Sequence, residues 1–126
     1  MEKKITIAFG DAALSAVLFE TPTAQTVWDA LPFSAEVQTW GDELYFAVPV
    51  DAALEEGACD VVQKGDLGYW PSGSAFCIFF GPTPVSRPGE IRPASAVNVF
   101  GRLAGDMSVP AEIRPGSPVA VTKAER

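Results

Sequence analysis

Short apolar runs, each halted by a glycine or proline turn, recur along almost the whole chain and point to a β-rich fold. The run KITIAFG alternates, stops at Gly10-Asp11 and returns as ALSAVLFE, the pattern of a hairpin. FSAEVQTW and ELYFAVPV flank Gly41-Asp42 as a second hairpin, and LGYW and SAFCIFF flank Pro71-Ser72-Gly73. AVNVFGRLAG and PVAVTKA read as two later strands. The period changes in one place. Thr21 suits an N-cap, Pro22 suits the first helical position, and Ala24, Val27, Trp28 and Leu31 recur at helical spacing before Pro32 stops them. Residues 51–64 read as an acidic loop with a short turn or strand at Val61-Val62, and residues 81–95 as a proline-rich loop. The sum is about eight strands with one or two short helices, a mainly β fold. The pattern suits a closed barrel or a sandwich, and the barrel is favoured because closure hides the edges of such apolar strands.

The chain has 126 residues, which predicts one domain over 1–126. Its formal net charge of −7 argues against nucleic acid and against anionic lipid, both of which need clustered Lys and Arg. There is no histidine, which excludes imidazole bases and Ser-His-Asp or Cys-His catalysis. The two cysteines, Cys59 and Cys77, belong to no CxxC pair, so no zinc site is expected; metal binding by carboxylates alone has no spaced motif behind it, and no metal or cofactor is assigned. Both read as free thiols, Cys77 packing as a small hydrophobe; a Cys59–Cys77 disulfide is the alternative. The apolar stretch after Lys3-Lys4 is too short for a signal peptide, and no window approaches the length of a membrane span. The expectation is a soluble, cytoplasmic protein with no membrane partner.

Three blocks carry a resemblance: TWGDELYF (39–46), GDLGYWPSGSAFCIFFGPTP (65–84) and PASAVNVFG (93–101). With LFETPTAQTVWDALP and AVNVFGRLAGDM in the same order, the chain resembles the cyclophilins, and more closely a group of small uncharacterised bacterial and archaeal cyclophilin-like proteins. The resemblance spans nearly the whole chain and implies a cyclophilin-like closed β-barrel capped by a helix, without implying an activity. It also implies that Phe80 lies near the place of the cyclophilin pocket phenylalanine. The Phe-His-Arg segment and the aromatic Gln-Gly-Gly segment of cyclophilin isomerases are missing, and Val97 falls where the pocket histidine would stand. No catalytic residue carries across.

Strand alternation divides AFCIFF into a small face (Ala75, Cys77, Phe79), expected to point into a narrow barrel, and a large face (Phe76, Ile78, Phe80), expected to meet the helix or line a groove. Trp40, Tyr45, Tyr69, Trp70, Phe76 and Phe80 are therefore the candidate walls of a binding groove, with Glu43, Asn98 and Arg102 as polar fixers. The structural alternatives are core packing for the phenylalanines, a turn clamp for Trp40, a buried hydrogen bond for Asn98 and an ion pair for Arg102. Three functions follow. The first is binding of a small molecule or short peptide. The second is a degenerate prolyl isomerase, which needs no proton transfer. The third is a homo-oligomeric assembly in which the aromatic patch is the interface.

Overall fold

The computed structural model describes residues 3–105 and 107–124. Its first hairpin pairs β1 (Lys3–Phe9) with β2 (Ala12–Leu18), and α1 (Pro22–Ala30) follows. The Thr21 side chain accepts from the Ala24 N–H at the start of α1, as its sequence predicts. Then come β3 (Phe33–Glu36), β4 (Gln38–Thr39), β5 (Glu43–Ala47), β6 (Asp66–Trp70), β7 (Ala75–Phe79), β8 (Asn98–Ala104) and β9 (Pro118–Lys123). Single 3₁₀ turns occupy Pro71–Gly73 and Val109–Glu112. Among the described residues, nine strands form one antiparallel sheet in the order β3-β9-β1-β2-β8-β6-β7-β5-β4. No described helix is long and apolar enough to cross a membrane.

The two edges of that sheet, β3 and β4, are one stretch of chain separated by Val37 alone. The stretch pairs with β9 through its first half and with β5 through its second, which closes the sheet into a barrel. FSAEVQTW is therefore two strands rather than one, and the ninth strand comes from this division. Val37 is fully buried, and its N–H and C=O bond to the Ser117 carbonyl and the Gly116 N–H at 2.9 and 2.7 Å.

The barrel interior is filled by alternate residues of the strands, among them Ile5, Ile7, Leu44, Phe46, Leu67, Tyr69, Phe76, Ile78, Phe100 and Val121, with Ala24 and Val27 of α1 packed on them. Phe76 sits at the centre, stacked on Phe46 at 4.8 Å and meeting Phe100 edge-on at 5.1 Å. This reverses the expected facing of β7. Its large side chains Phe76 and Ile78 point inward, and Ala75, Cys77 and Phe79 point outward into a separate apolar cluster. The reason is width: a barrel of many strands has an interior that small side chains cannot fill.

The outer cluster is covered by two irregular segments. Cys59 bridges to Val97 and Val62 to Ile91, laying the chain of the 51–64 and 81–97 regions across the outside of β6 and β7. Gly68 makes this close approach possible. It lies opposite Cys77, and a Cβ there would come within 2.9 Å of the Val97 side chain and 3.1 Å of the Phe79 ring.

Candidate functional site

The outward residues of β5 are Glu43, Tyr45 and Ala47, and antiparallel register sets the first two opposite Phe79 and Cys77 of β7. On the other side of β7, Trp70 is the last outward residue of β6. Trp40 enters from the turn before β5. That turn is tight: the Trp40 N–H bonds to the Glu43 carbonyl at 3.0 Å, and Gly41 holds φ +59. The Asp42 N–H bonds to the Pro82 carbonyl at 2.9 Å and the Phe80 N–H to the Asp42 carbonyl at 3.0 Å, so the turn is stitched to the proline-rich segment. Pro93, Ala94 and Val97 of that segment and of the run into β8 complete a cavity of about 290 Å³, open to solvent on one side.

The cavity is mostly apolar and preorganised. The Trp70 indole N–H donates to Ser95 Oγ at 2.6 Å, and a Cβ at Gly73 would lie 2.8 Å from the Trp70 six-membered ring. The ring is thus pinned by a hydrogen bond and backed by a residue with no side chain. The proline-rich segment carries its own ties: Ser86 Oγ accepts from the Thr83 and Arg92 N–H groups, both at 2.9 Å, and Arg92 pairs with Glu90 at 2.7 Å.

One ionisable group stands out. Glu43 is only 6% exposed, yet its carboxyl belongs to the cavity wall. Burial pushes its pKa from the ordinary 4.5 up to about 7, with a hydrogen bond from the Cys77 thiol pulling weakly the other way. The same pair raises the thiol: burial first, then the Glu43 charge, then the hydrogen bond between them push Cys77 well above the usual thiol range. The Cys77 thiol also lies 3.9 Å from the Ala75 carbonyl, a long contact. Among the described residues no lysine or arginine lines the cavity.

Of the nine residues singled out in the sequence, Trp40, Glu43, Tyr45 and Trp70 come together here. The other five lie elsewhere. Phe76 is the centre of the barrel, and Tyr69 is fully buried beside it, its hydroxyl donating to the Val50 carbonyl at 2.7 Å and accepting from the Ala52 N–H. Asn98 donates to Thr23 Oγ1 and the Ala53 carbonyl, both at 2.9 Å, and accepts from the Glu55 N–H at 2.7 Å. The Glu55 carboxylate in turn accepts from the Thr23 N–H at 2.9 Å, so this network ties the 51–58 loop to the start of α1. Arg102 holds the buried Asp66 through Nε and Nη2 at 3.0 and 2.9 Å and lies 5.7 Å over the Phe19 ring. Phe80 lines a shallower groove with residues 110–115.

Cys77, Phe79, Pro93, Ala94 and Val97 are cavity residues that the sequence reading left out of its candidate site. The first two follow from the facing of β7 and its register with Glu43 and Tyr45. Local alternation shows that Cys77 and Phe79 share a face but not which face. Among the described residues no group of three or more Cys, Asp or Glu side chains gathers to hold a metal ion, and both cysteines are free thiols.

The profile of the family described as Cyclophilin-like matches residues 3–122. Among solved structures, the chain is similar to a hypothetical protein from Archaeoglobus fulgidus, determined in solution. The two are 42% identical with a TM-score of 0.83, over 98% of this chain and 95% of that one. No curated protein matches the chain.

Proposed function

Because the chain belongs to the cyclophilin-like family, the barrel is a shared scaffold, and we propose that this member uses the cavity outside its β5-β7-β6 strands to bind a small molecule. The observation that carries the reading is a buried carboxyl in the wall of an open apolar cavity whose rings come from three separate stretches of chain. At about 290 Å³ the space is near the lower end of ordinary ligand pockets and suits a compact ligand of about ten non-hydrogen atoms. Two facts favour binding over prolyl isomerisation. Among the described residues the cavity wall has no cationic donor to direct at an amide, and Arg102 and Arg92, the arginines that an isomerase reading would use, are engaged by Asp66 and Glu90.

The test uses the three tryptophans. Trp40 and Trp70 line the cavity, while Trp28 lies on α1 under the Lys123 ammonium, 4.7 Å away. In a fragment screen read by nitrogen-15 NMR, true ligands move the Trp40 and Trp70 indole signals together and leave Trp28 in place. A library of several hundred fragments that moves neither signal, or moves only Trp28, overturns the reading.

A further inference from the structure

Resting on that cavity, we propose that its ligand is a small organic cation, an alkylammonium or methylated ammonium on a compact apolar body, held against the Glu43 carboxylate among the rings of Trp40, Tyr45 and Trp70.

Four observations converge. Glu43 is more than nine-tenths buried, lines the cavity, and among the described residues has a weakly donating thiol as its neighbour rather than a lysine or arginine. Such a carboxylate lacks a countercharge, and the space beside it is where one can sit. Three electron-rich rings share that space, and a cation near aromatic faces is attracted by their quadrupoles. The remaining wall, Phe79, Pro93, Ala94 and Val97, is apolar and repels a strongly hydrated ion, so a soft cation bearing carbon fits better than a metal ion. Finally, the net charge of −7 surrounds the site with a field that concentrates cations and disfavours anions.

A neutral ligand makes a different demand. It would use the protonated carboxyl as a donor, and its binding would weaken as the proton leaves. The two ligand types therefore give opposite pH profiles. The groups in this wall with a perturbed titration are Glu43 and Cys77. Cys77 ionises well above neutrality, so the carboxyl sets the profile between pH 6 and pH 8.

The experiment is a titration of the intact protein with choline, charged at every pH, and with its neutral isostere 3,3-dimethylbutan-1-ol, followed at the indole signals of Trp40, Trp70 and Trp28. The expected result is that choline moves Trp40 and Trp70, that its affinity rises about tenfold from pH 6 to pH 8 as Glu43 ionises, and that the alcohol binds at least about tenfold more weakly. Glu43→Gln then abolishes the pH dependence and weakens choline about tenfold, with its folding checked by the dispersion of the same spectrum. If the variant does not fold, the pH profile of the wild-type chain decides alone. Equal or tighter binding of the alcohol, or affinity that falls with pH, overturns the cation while leaving the cavity reading intact. No shift at Trp40 and Trp70 with either compound also overturns it, and the fragment screen then decides separately whether the cavity binds anything.

Discussion

Asp66 and Glu43 are both buried carboxylates that point outward from strands adjoining β7, and the chain treats them in opposite ways. Asp66 is 3% exposed and fully matched: one oxygen takes two bonds from Arg102, and the other accepts the Gln63 N–H at 2.8 Å. Glu43 is 6% exposed and is met by a thiol and by open space. A buried charge with a complete set of partners belongs to the scaffold. One without them costs stability, and its place in the cavity wall is the ground for the proposed ligand. The difference lies in the neighbours, because side-chain type and burial are nearly the same.

The largest effect that sharpens this contrast is expected at Asp66. Asp66→Ala strips the Gln63 N–H of its acceptor and frees Arg102, and should lower unfolding free energy by about 2–3 kcal/mol in urea denaturation. Arg102 is half exposed, so water can satisfy it and the loss stays below that of a fully buried pair. A loss under about 0.5 kcal/mol would show that the pair is ornamental and erase the contrast.

Glu43 should behave in the reverse sense. Its folded pKa lies above the ordinary value, so the native chain keeps a proton that the unfolded chain has already released. The stability this confers is complete below about pH 4.5 and is lost as the pH rises to about 7. Glu43→Gln removes the titration. The stability of the variant relative to wild type should therefore climb by about 2 kcal/mol between pH 5 and pH 8, after allowance for the opening of the cavity to water. A flat difference across that range would mean that Glu43 is partnered as well as Asp66 is.

The smallest effect concerns the thiol that shares the carboxyl. At pH 8 and limiting iodoacetamide, half-buried Cys59 should be alkylated first and Cys77 at least about tenfold more slowly, since Cys77 is both buried and raised. In Glu43→Gln the Cys77 rate should increase, as one of the causes of its raised pKa is removed. An unchanged rate would show that burial alone protects it.

Local signals made much of the architecture legible. Thr21-Pro22 and the 24/27/28/31 spacing place α1 to within a residue, and Gly10-Asp11 and Gly41-Asp42 mark two hairpin turns. The division at Val37 left no such mark, because FSAEVQTW carries no turn residue there and the change of partner is imposed by barrel closure. The facing of β7 was misread for a similar reason: alternation is local, but which side is inside depends on the width of the whole barrel. That one reversal hid Cys77 and Phe79 from the candidate site. Trp40, Glu43, Tyr45 and Trp70 were visible because large rings with a polar handle and a carboxylate cluster beside two turns, where side chains tend to be half-wet. Asn98 was equally visible, but whether it faces a ligand or the start of α1 depends on where the 51–58 loop lies.

The junction at Val37 also bears on how the chain reaches this state. Its two halves must find partners at very different separations: Thr39 faces nearby Leu44, whereas Phe33 faces Val121 across most of the chain. The first pairing forms at the speed of a hairpin, and the second must first meet the entropy of closing a long loop. The barrel is therefore expected to assemble from its hairpins and to shut last, along the seam between β3 and β9, at the slow pace of a β topology rich in distant contacts. Until that seam forms, both edges of the sheet stand open, and the same seven residues that complete the barrel are the ones through which two unfinished chains could exchange strands.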